Sequence, residues 1–146
     1  MVLNKILCAV DLTEQATNAA EYAKMLAKGS NAQIEVVSVA PHPTYYVGLR
    51  TFHDSNEEVE KKIKDTYAPL LKEFAAKQFP GMQVKTTLLY GDPGTELVNY
   101  CQKKEWDLVV MATHSRTGID RMLLGSVANK VVSMVDLPVL TIRPIL

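Results

Sequence analysis

The sequence predicts an α/β fold, an open, mostly parallel sheet of five strands with helices on both faces, which is the Rossmann-like class. Two observations predict it. Short apolar runs alternate with segments of helical periodicity from end to end, a pattern typical of right-handed β–α–β crossovers. The first run, residues 6–10, is continuously apolar, as a strand covered on both faces requires. At 146 residues, we expect a single domain over 1–146.

The first part of the chain predicts two strands, at 6–10 and 34–40, on either side of a helix. That helix is expected to begin near residue 13 and to end at Gly29. Its inner face is rich in alanine, so the helix can lie close to the sheet. The inward positions are Ala16, Ala19, Ala20, Ala23, Leu26 and Ala27. An irregular stretch follows the second strand, at 41–54.

The second helix has a clear start. Ser55 is followed three residues later by Glu58, a capping box that satisfies two backbone donors at a helix N-terminus. Pro69 predicts a bend or an interruption, because proline removes a backbone donor and crowds the preceding turn. The predicted buried stripe comprises Val59, Ile63, Tyr67, Leu70, Leu71 and Phe74.

The second half of the chain predicts three further strands and two further helices. The strands are expected at 84–89, 108–111 and 138–142. The third helix follows the turn Gly-Asp-Pro-Gly at 91–94, and the fourth is expected at 126–135.

The composition excludes several classes of partner. Sixteen Lys and Arg balance sixteen Asp and Glu, so no overall field favours nucleic acid or an anionic membrane. No apolar run has the length of a signal peptide or of a membrane span, and we expect a soluble, cytoplasmic protein. Cys8 and Cys101 lack the spacing of a metal or redox site, so buried free thiols are expected.

The signatures of common enzymes are absent from the sequence. The residues DLTEQA stand where a P-loop would follow the first strand, and neither a dinucleotide fingerprint nor a hydrolase elbow is present. Asp11 lacks the acidic neighbour that a phospho-accepting receiver domain would need. We expect no catalytic residues. The most activity that we expect is slow ATP hydrolysis, or autophosphorylation on Ser126 or Thr113, with Asp120 as the nearest acid.

The connection between the fourth strand and the fourth helix is the most informative part of the sequence. It runs for about a dozen residues, which is long for such a connection. Its hydrogen-bond donors are Thr113, His114, Ser115, Arg116, Thr117 and Arg121. Gly125 and Ser126 then open a helix, whose N–H groups and macrodipole favour an anion. A phosphate ligand is therefore predicted; the alternative is that Ser126 merely caps the helix.

Asp11 directly follows the first strand. In open α/β sheets, ligands bind at the carboxyl ends of the strands, where the strand order reverses. A carboxylate at this position can accept hydrogen bonds from the two hydroxyls of a ribose. The alternative is that Asp11 caps the first helix, because Asp is a favoured cap residue.

The assembled pattern resembles the universal stress protein family over nearly the whole chain. The segments that carry the resemblance are KILCAVDLTEQA, YGDPGTELVNY, DLVVMATHSRTG, LLGSVANKVV and LPVLTIRP. The resemblance implies the strand order 3-2-1-4-5 of an adenine nucleotide alpha hydrolase-like sheet. It also implies a homodimer whose last strands, Val139 to Ile142, pair with each other, and it leaves other protein partners unknown.

The resemblance also implies a nucleotide ligand, with one departure. Family members that bind ATP carry Gly-x-x-Gly, nine residues and then Gly-Ser or Gly-Thr. The corresponding residues here are Ala112, Ser115, Gly125 and Ser126, so the spacing is kept while the first two glycines are replaced. Two functions follow: a stress-response module that binds an adenine nucleotide, or a nucleotide-independent dimer that acts through protein contacts.

In the implied complex with ATP or AMP, with or without Mg²⁺, Asp11 holds the ribose and the Val39 backbone meets the adenine. The floor of the site consists of Ala9, Met111 and Ala112. The phosphates are held by Ser115, Gly125, Ser126 and Val127, with His114 and Arg116 adding positive charge.

Overall fold

The computed structural model describes residues 2–42, 55–103, 105–113 and 124–143. Within these ranges, five strands alternate with four helices. The elements are β1 (Lys5–Ala9), α1 (Ala16–Ser30), β2 (Gln33–Pro41), α2 (Asn56–Gln78), β3 (Lys85–Gly91), α3 (Pro93–Lys103), β4 (Leu108–Ala112), α4 (Ser126–Met134) and β5 (Val139–Ile142). The predicted bounds differ from these by about one or two residues at most strand ends, which is the usual uncertainty of an element boundary.

The strands form a single parallel sheet in the order β3-β2-β1-β4-β5. The first strand lies at the centre, where Ile6 is in register with Ile34 on β2 and with Leu108 on β4. This confirms both the fold class and the implied order. The order reverses between β1 and β4, so a crevice is expected at their carboxyl ends.

The sheet separates two hydrophobic layers. Ile6 and Cys8 pack with α1 and α2 on one face, whereas Leu7 and Ala9 pack with α3 and α4 on the other. This explains why β1 is continuously apolar, because neither face meets water. The alanines of α1 are buried as predicted, and their small side chains leave room for the helix to approach the sheet.

The first helix is displaced along the chain from its predicted span. It begins at Ala16 rather than near residue 13, because residues 11–15 form turns in which Leu12 has a φ of 62°. It also continues past Gly29 to Ser30, and Asn31 terminates it with a φ of 59°. Asparagine tolerates this left-handed conformation better than most residues, so the helix does not need glycine to end.

The second helix is continuous through Pro69, so the predicted interruption does not occur. Its capping box forms as predicted, with Ser55 N donating to Glu58 Oε2 at 2.8 Å and Glu58 N donating to Ser55 Oγ at 3.2 Å. Pro69 lies on the exposed side, where water can reach the carbonyl that proline leaves without a donor. Leu70 was wrongly placed in the buried stripe, since it is 47% exposed. The buried positions are Val59, Ile63, Leu71 and Ala75.

The two cysteines are buried and free, as predicted. Burial raises the pKa of the Cys8 thiol to about 12 and that of Cys101 to about 11, so both are unreactive thiols at neutral pH. Among the described residues, no helix combines the length and the hydropathy needed to cross a bilayer.

Candidate functional site

A cleft of about 730 Å³ lies at the carboxyl ends of β1, β2 and β4, beside the N-termini of α3 and α4. This is the crevice that the strand order predicts. The site residues predicted from sequence that line it are Ala9, Asp11, Val39, Met111, Ala112, Gly125, Ser126 and Val127. The other predicted site residues, His114, Ser115 and Arg116, lie outside the described residues, as do Thr117, Asp120 and Arg121.

Asp11 lies at the mouth of the cleft in a tight turn. Its Oδ1 accepts hydrogen bonds from the backbone N–H of Thr13 at 3.1 Å and from Thr13 Oγ1 at 2.6 Å, an Asx turn. The alternative role as a helix cap is wrong, because the N-cap of α1 is Gln15. The turn fixes an exposed carboxylate beside the end of β1, where it can accept hydrogen bonds from paired hydroxyls.

The N-terminus of α4 forms a second wall of the cleft. Gly125 is the N-cap and Ser126 is the first helical residue. The N-cap therefore makes no side-chain hydrogen bond to the N–H groups of the helix. The alternative that Ser126 caps the helix is therefore wrong. The N–H groups of residues 126–128 have no acceptor within the helix, and the first intrahelical bond runs from Asn129 N to Gly125 O at 2.9 Å. Such a terminus favours an anion.

The floor of the cleft is apolar. Ala9 and Met111 are in register on adjacent strands, and both are buried. Ala112 belongs to β4, and its φ is not positive. Its methyl group therefore causes no backbone strain where ATP-binding members have glycine. A floor of this kind can pack against a flat ring.

Thr113 does not serve as a donor to the cleft. Its N–H donates to the carbonyl of Ile142 at 2.8 Å, and its hydroxyl donates to the same oxygen at 3.3 Å. The residue is buried, because the pairing of β4 with β5 extends one residue beyond the strand. This position differs from the predicted one, in which Thr113 belongs to the donors beside the N-terminus of the fourth helix.

Some residues that line the cleft were missed by the sequence reasoning. They are Val10, Thr13, Ala16, Pro41, Tyr67, Pro93, Leu97, Leu124 and Ala128. Tyr67 was expected only in the buried stripe of α2, and its hydroxyl was the available signal, because a phenol in an aliphatic stripe usually needs a polar environment. Leu124 directly precedes Gly125, so its place beside the helix N-terminus could have been predicted.

Polar side chains form a hydrogen-bonded cluster at the start of α3. Asp92 Oδ1 accepts hydrogen bonds from Thr95 N at 2.8 Å and from Thr95 Oγ1 at 2.6 Å. These hydrogen bonds lower the pKa of the Asp92 carboxyl below its usual value. Lys130 on α4 also contacts this cluster, because its Nζ lies 2.7 Å from Thr95 Oγ1. Within the described ranges, no group of three or more His, Cys, Asp or Glu side chains is placed to hold a metal ion.

Comparison with protein families identifies the chain. The model of the universal stress protein family matches residues 3–143, which is nearly the whole sequence. The chain belongs to the universal stress protein family. Its order of strands and its motifs agree with this assignment.

Two relatives in the universal stress protein family align over most of their length. Universal stress protein MJ0531 of Methanocaldococcus jannaschii is 35% identical over 144 residues, which cover 95% of this chain and 81% of the relative. Universal stress protein YxiE of Bacillus subtilis is 28% identical over 150 residues, which cover 97% of this chain and all of the relative.

Solved structures share the fold of this universal stress protein at lower identity. The structure of hypothetical protein MJ0577 superposes with a TM-score of 0.81 at 22% identity, covering 98% of this chain and 97% of that one. A universal stress protein in complex with cAMP gives 0.71 at 20% identity, over 99% and 100% of the two chains. A universal stress protein of Archaeoglobus fulgidus in complex with dAMP gives 0.60 at 21% identity, over 97% and 98%.

Proposed function

We propose that this universal stress protein is a stress-response module that binds an adenine nucleotide, ATP or AMP, at the carboxyl ends of β1 and β4. One observation carries the proposal. A carboxylate at Asp11 and the N-terminus of α4 at Gly125 line the same cleft, together with the apolar residues Ala9 and Met111. These groups match a nucleotide, because a nucleotide carries a flat base, ribose hydroxyls and a phosphate in one molecule.

In the proposed complex, the Asp11 carboxylate accepts hydrogen bonds from the ribose hydroxyls. The adenine lies on Ala9 and Met111 and meets the backbone at Val39. The N–H groups of Ser126 and Val127 hold the phosphates, and the macrodipole of α4 favours their charge. Ala112 completes the apolar floor, and further donors are expected from the backbone of Gly125 and from the side chains of Ser115, His114 and Arg116.

The size of the cleft and the comparisons support this assignment. A volume of about 730 Å³ falls within the range that suits a ligand the size of a mononucleotide, roughly 300–1,000 Å³. Two proteins of the same fold were solved with adenine nucleotides, cAMP and dAMP. Any Mg²⁺ would enter on the phosphates of ATP, because the described residues offer no cluster of carboxylates for it.

We further propose that two copies pair through β5, over Val139–Ile142. This strand is an edge of the sheet, and Val139, Leu140 and Thr141 are only partly buried. An edge strand presents unpaired N–H and C=O groups that a second strand can satisfy. Pairing would bury these side chains as well as the edge.

A second candidate is a dimer that acts through protein contacts without a nucleotide. Ala112 and Ser115 favour it, since both replace glycines that ATP-binding members carry. The ordinary strand backbone at Ala112 weakens this argument, because its methyl group is accommodated without strain. The choice between the two functions therefore rests on binding experiments.

Titration calorimetry with adenosine, AMP, ADP and ATP, with and without Mg²⁺, tests the nucleotide proposal. Binding of at least one phosphorylated ligand more tightly than adenosine is expected, because α4 contributes only to the phosphates. Absence of heat with every ligand would favour the nucleotide-independent dimer. Mass spectrometry of the small molecule released from freshly purified, denatured protein is an independent check, and we expect an adenine nucleotide.

A further inference from the structure

We propose that Lys130 is a positioning residue for the phosphate end of the cleft, an inference that rests on the proposed nucleotide site. Lys130 lies on α4, four residues after Ser126, so the two side chains share one face of the helix. Its Nζ donates a hydrogen bond of 2.7 Å to Thr95 Oγ1 and lies 3.4 Å from Asp92 Oδ1. Both acceptors are at the N-terminus of α3, so Lys130 joins the middle of α4 to the start of α3.

The residues at the start of α3 are suited to the contact with Lys130. A Cβ at Gly94 would lie 2.8 Å from Lys130 Cδ, so a side chain there would displace the lysine. Thr95 Oγ1 donates its proton to Asp92 Oδ1 and accepts one from Lys130, which uses both capacities of a hydroxyl. The Asp92 carboxylate offsets the unfavourable position of an ammonium beside a helix N-terminus.

Lys130 supplies the directional part of the contact between α3 and α4 at the cleft. Behind it, the helices meet through apolar side chains, namely Leu97, Val98 and Cys101 on α3 and Ala128 and Val131 on α4. Apolar contact is non-directional, whereas a hydrogen bond requires a defined geometry. At the C-terminal ends of the two helices, Gln102 Nε2 donates to the Met134 carbonyl at a donor–acceptor distance of 3.4 Å, which is long for a hydrogen bond. The Lys130 contact therefore adds a directional restraint on the position of α4 relative to the start of α3.

Two variants separate positioning from charge. Lys130→Met removes both the hydrogen bonds and a positive charge, whereas Thr95→Val keeps the charge and removes the nearer of the two acceptors. Lys61→Met is the matched control, because this lysine is 78% exposed and pairs with Asp65 on its own helix. Each variant and the wild type are titrated with adenosine, AMP and ATP at constant ionic strength.

We expect Lys130→Met and Thr95→Val to lower the affinity for AMP and ATP by about tenfold, the equivalent of one charged hydrogen bond. The affinity for adenosine should not change, because Asp11 and the floor are untouched, and Lys61→Met should resemble the wild type. The inference is overturned if Thr95→Val binds AMP like the wild type, or if the adenosine affinity falls in parallel. A wild type that binds no nucleotide overturns the proposed function as well, so the two failures are distinguishable.

Discussion

At the scale of single residues, Asp11 and Thr113 show that polar side chains at the ends of neighbouring strands can have different roles. Asp11 follows a central strand, and its hydrogen bonds to Thr13 hold it in a turn at the cleft mouth. Thr113 follows the neighbouring strand, but it donates both its protons to Ile142 and lies buried. The sequence predicted a ligand-binding side chain at each position, an acceptor at Asp11 and a donor at Thr113. It could not distinguish them, because the difference depends on how far β5 extends along β4.

The first prediction concerns Asp11→Asn. The amide oxygen can still accept the hydrogen bonds from Thr13, so the Asx turn and the thermal stability should be unchanged. The charged acceptor is lost, however, and nucleotide affinity should fall by roughly 1.5–3 kcal/mol. Calorimetry with AMP measures the affinity, and a thermal melt measures the stability. An unchanged affinity would contradict the role of Asp11 at the ribose.

The second prediction concerns the pH dependence of stability at Asp107. Its Oδ2 accepts hydrogen bonds from the backbone of Asn4 at 2.7 Å and Lys5 at 2.8 Å, and these lower the carboxyl pKa from 3.8. Because the pKa is lower in the folded state, the stabilisation is present above the unfolded value and is lost as the pH falls through the folded one. Asp107→Asn should therefore show a smaller fall in Tm on acidification from pH 5. Parallel Tm–pH curves for the two proteins would contradict this.

At the scale of elements, periodicity predicted each helix and strand, while local chemistry decided their ends. The capping box at Ser55 was predictable because it depends on two side chains close in sequence. The end of α1 was not, because Asn31 adopts a left-handed conformation that glycine more often adopts. Pro69 misled because its effect depends on whether water reaches the neighbouring carbonyl, and exposure is a tertiary property.

The third prediction compares two adjacent leucines of α2. Leu71 is 2% exposed, whereas Leu70 is 47% exposed. Leu71→Ala should reduce the free energy of unfolding by about 2–5 kcal/mol, because it leaves a cavity in the core. Leu70→Ala is the matched control and should change it by less than about 0.5 kcal/mol. Urea unfolding of both variants tests the pair, and equal losses would contradict the orientation of α2.

At the scale of the whole molecule, the sequence alone predicted alternating elements but not the order of the strands. The order came from the resemblance to universal stress proteins, since apolar patterns do not specify which strands pair. The floor and walls of the cleft were predictable, because the carboxyl ends of parallel strands share one edge. The contact of Lys130 with the start of α3 was not, because it is made from the middle of α4.

The fourth prediction concerns the dimer. The carbonyls of Pro138 and Ile142 accept hydrogen bonds from β4, so the alternate residues Val139 and Thr141 direct their N–H groups away from the sheet. Thr141→Pro should remove an outward donor while keeping the pairing with β4, and the protein should become monomeric. Thr141→Val keeps the N–H group and should remain dimeric. Sedimentation equilibrium distinguishes these results, and a dimeric Thr141→Pro variant would contradict pairing through β5.

The central claim is that the cleft at the ends of β1 and β4 accepts an adenine nucleotide, although Ala112 and Ser115 replace two glycines. A crystal structure of the protein grown with excess AMP tests it most directly. The account predicts AMP in the cleft, with its ribose hydroxyls at Asp11 and its phosphate at the N–H groups of Ser126 and Val127. A cleft that stays closed to AMP, or is filled by side chains of the protein itself, would contradict it.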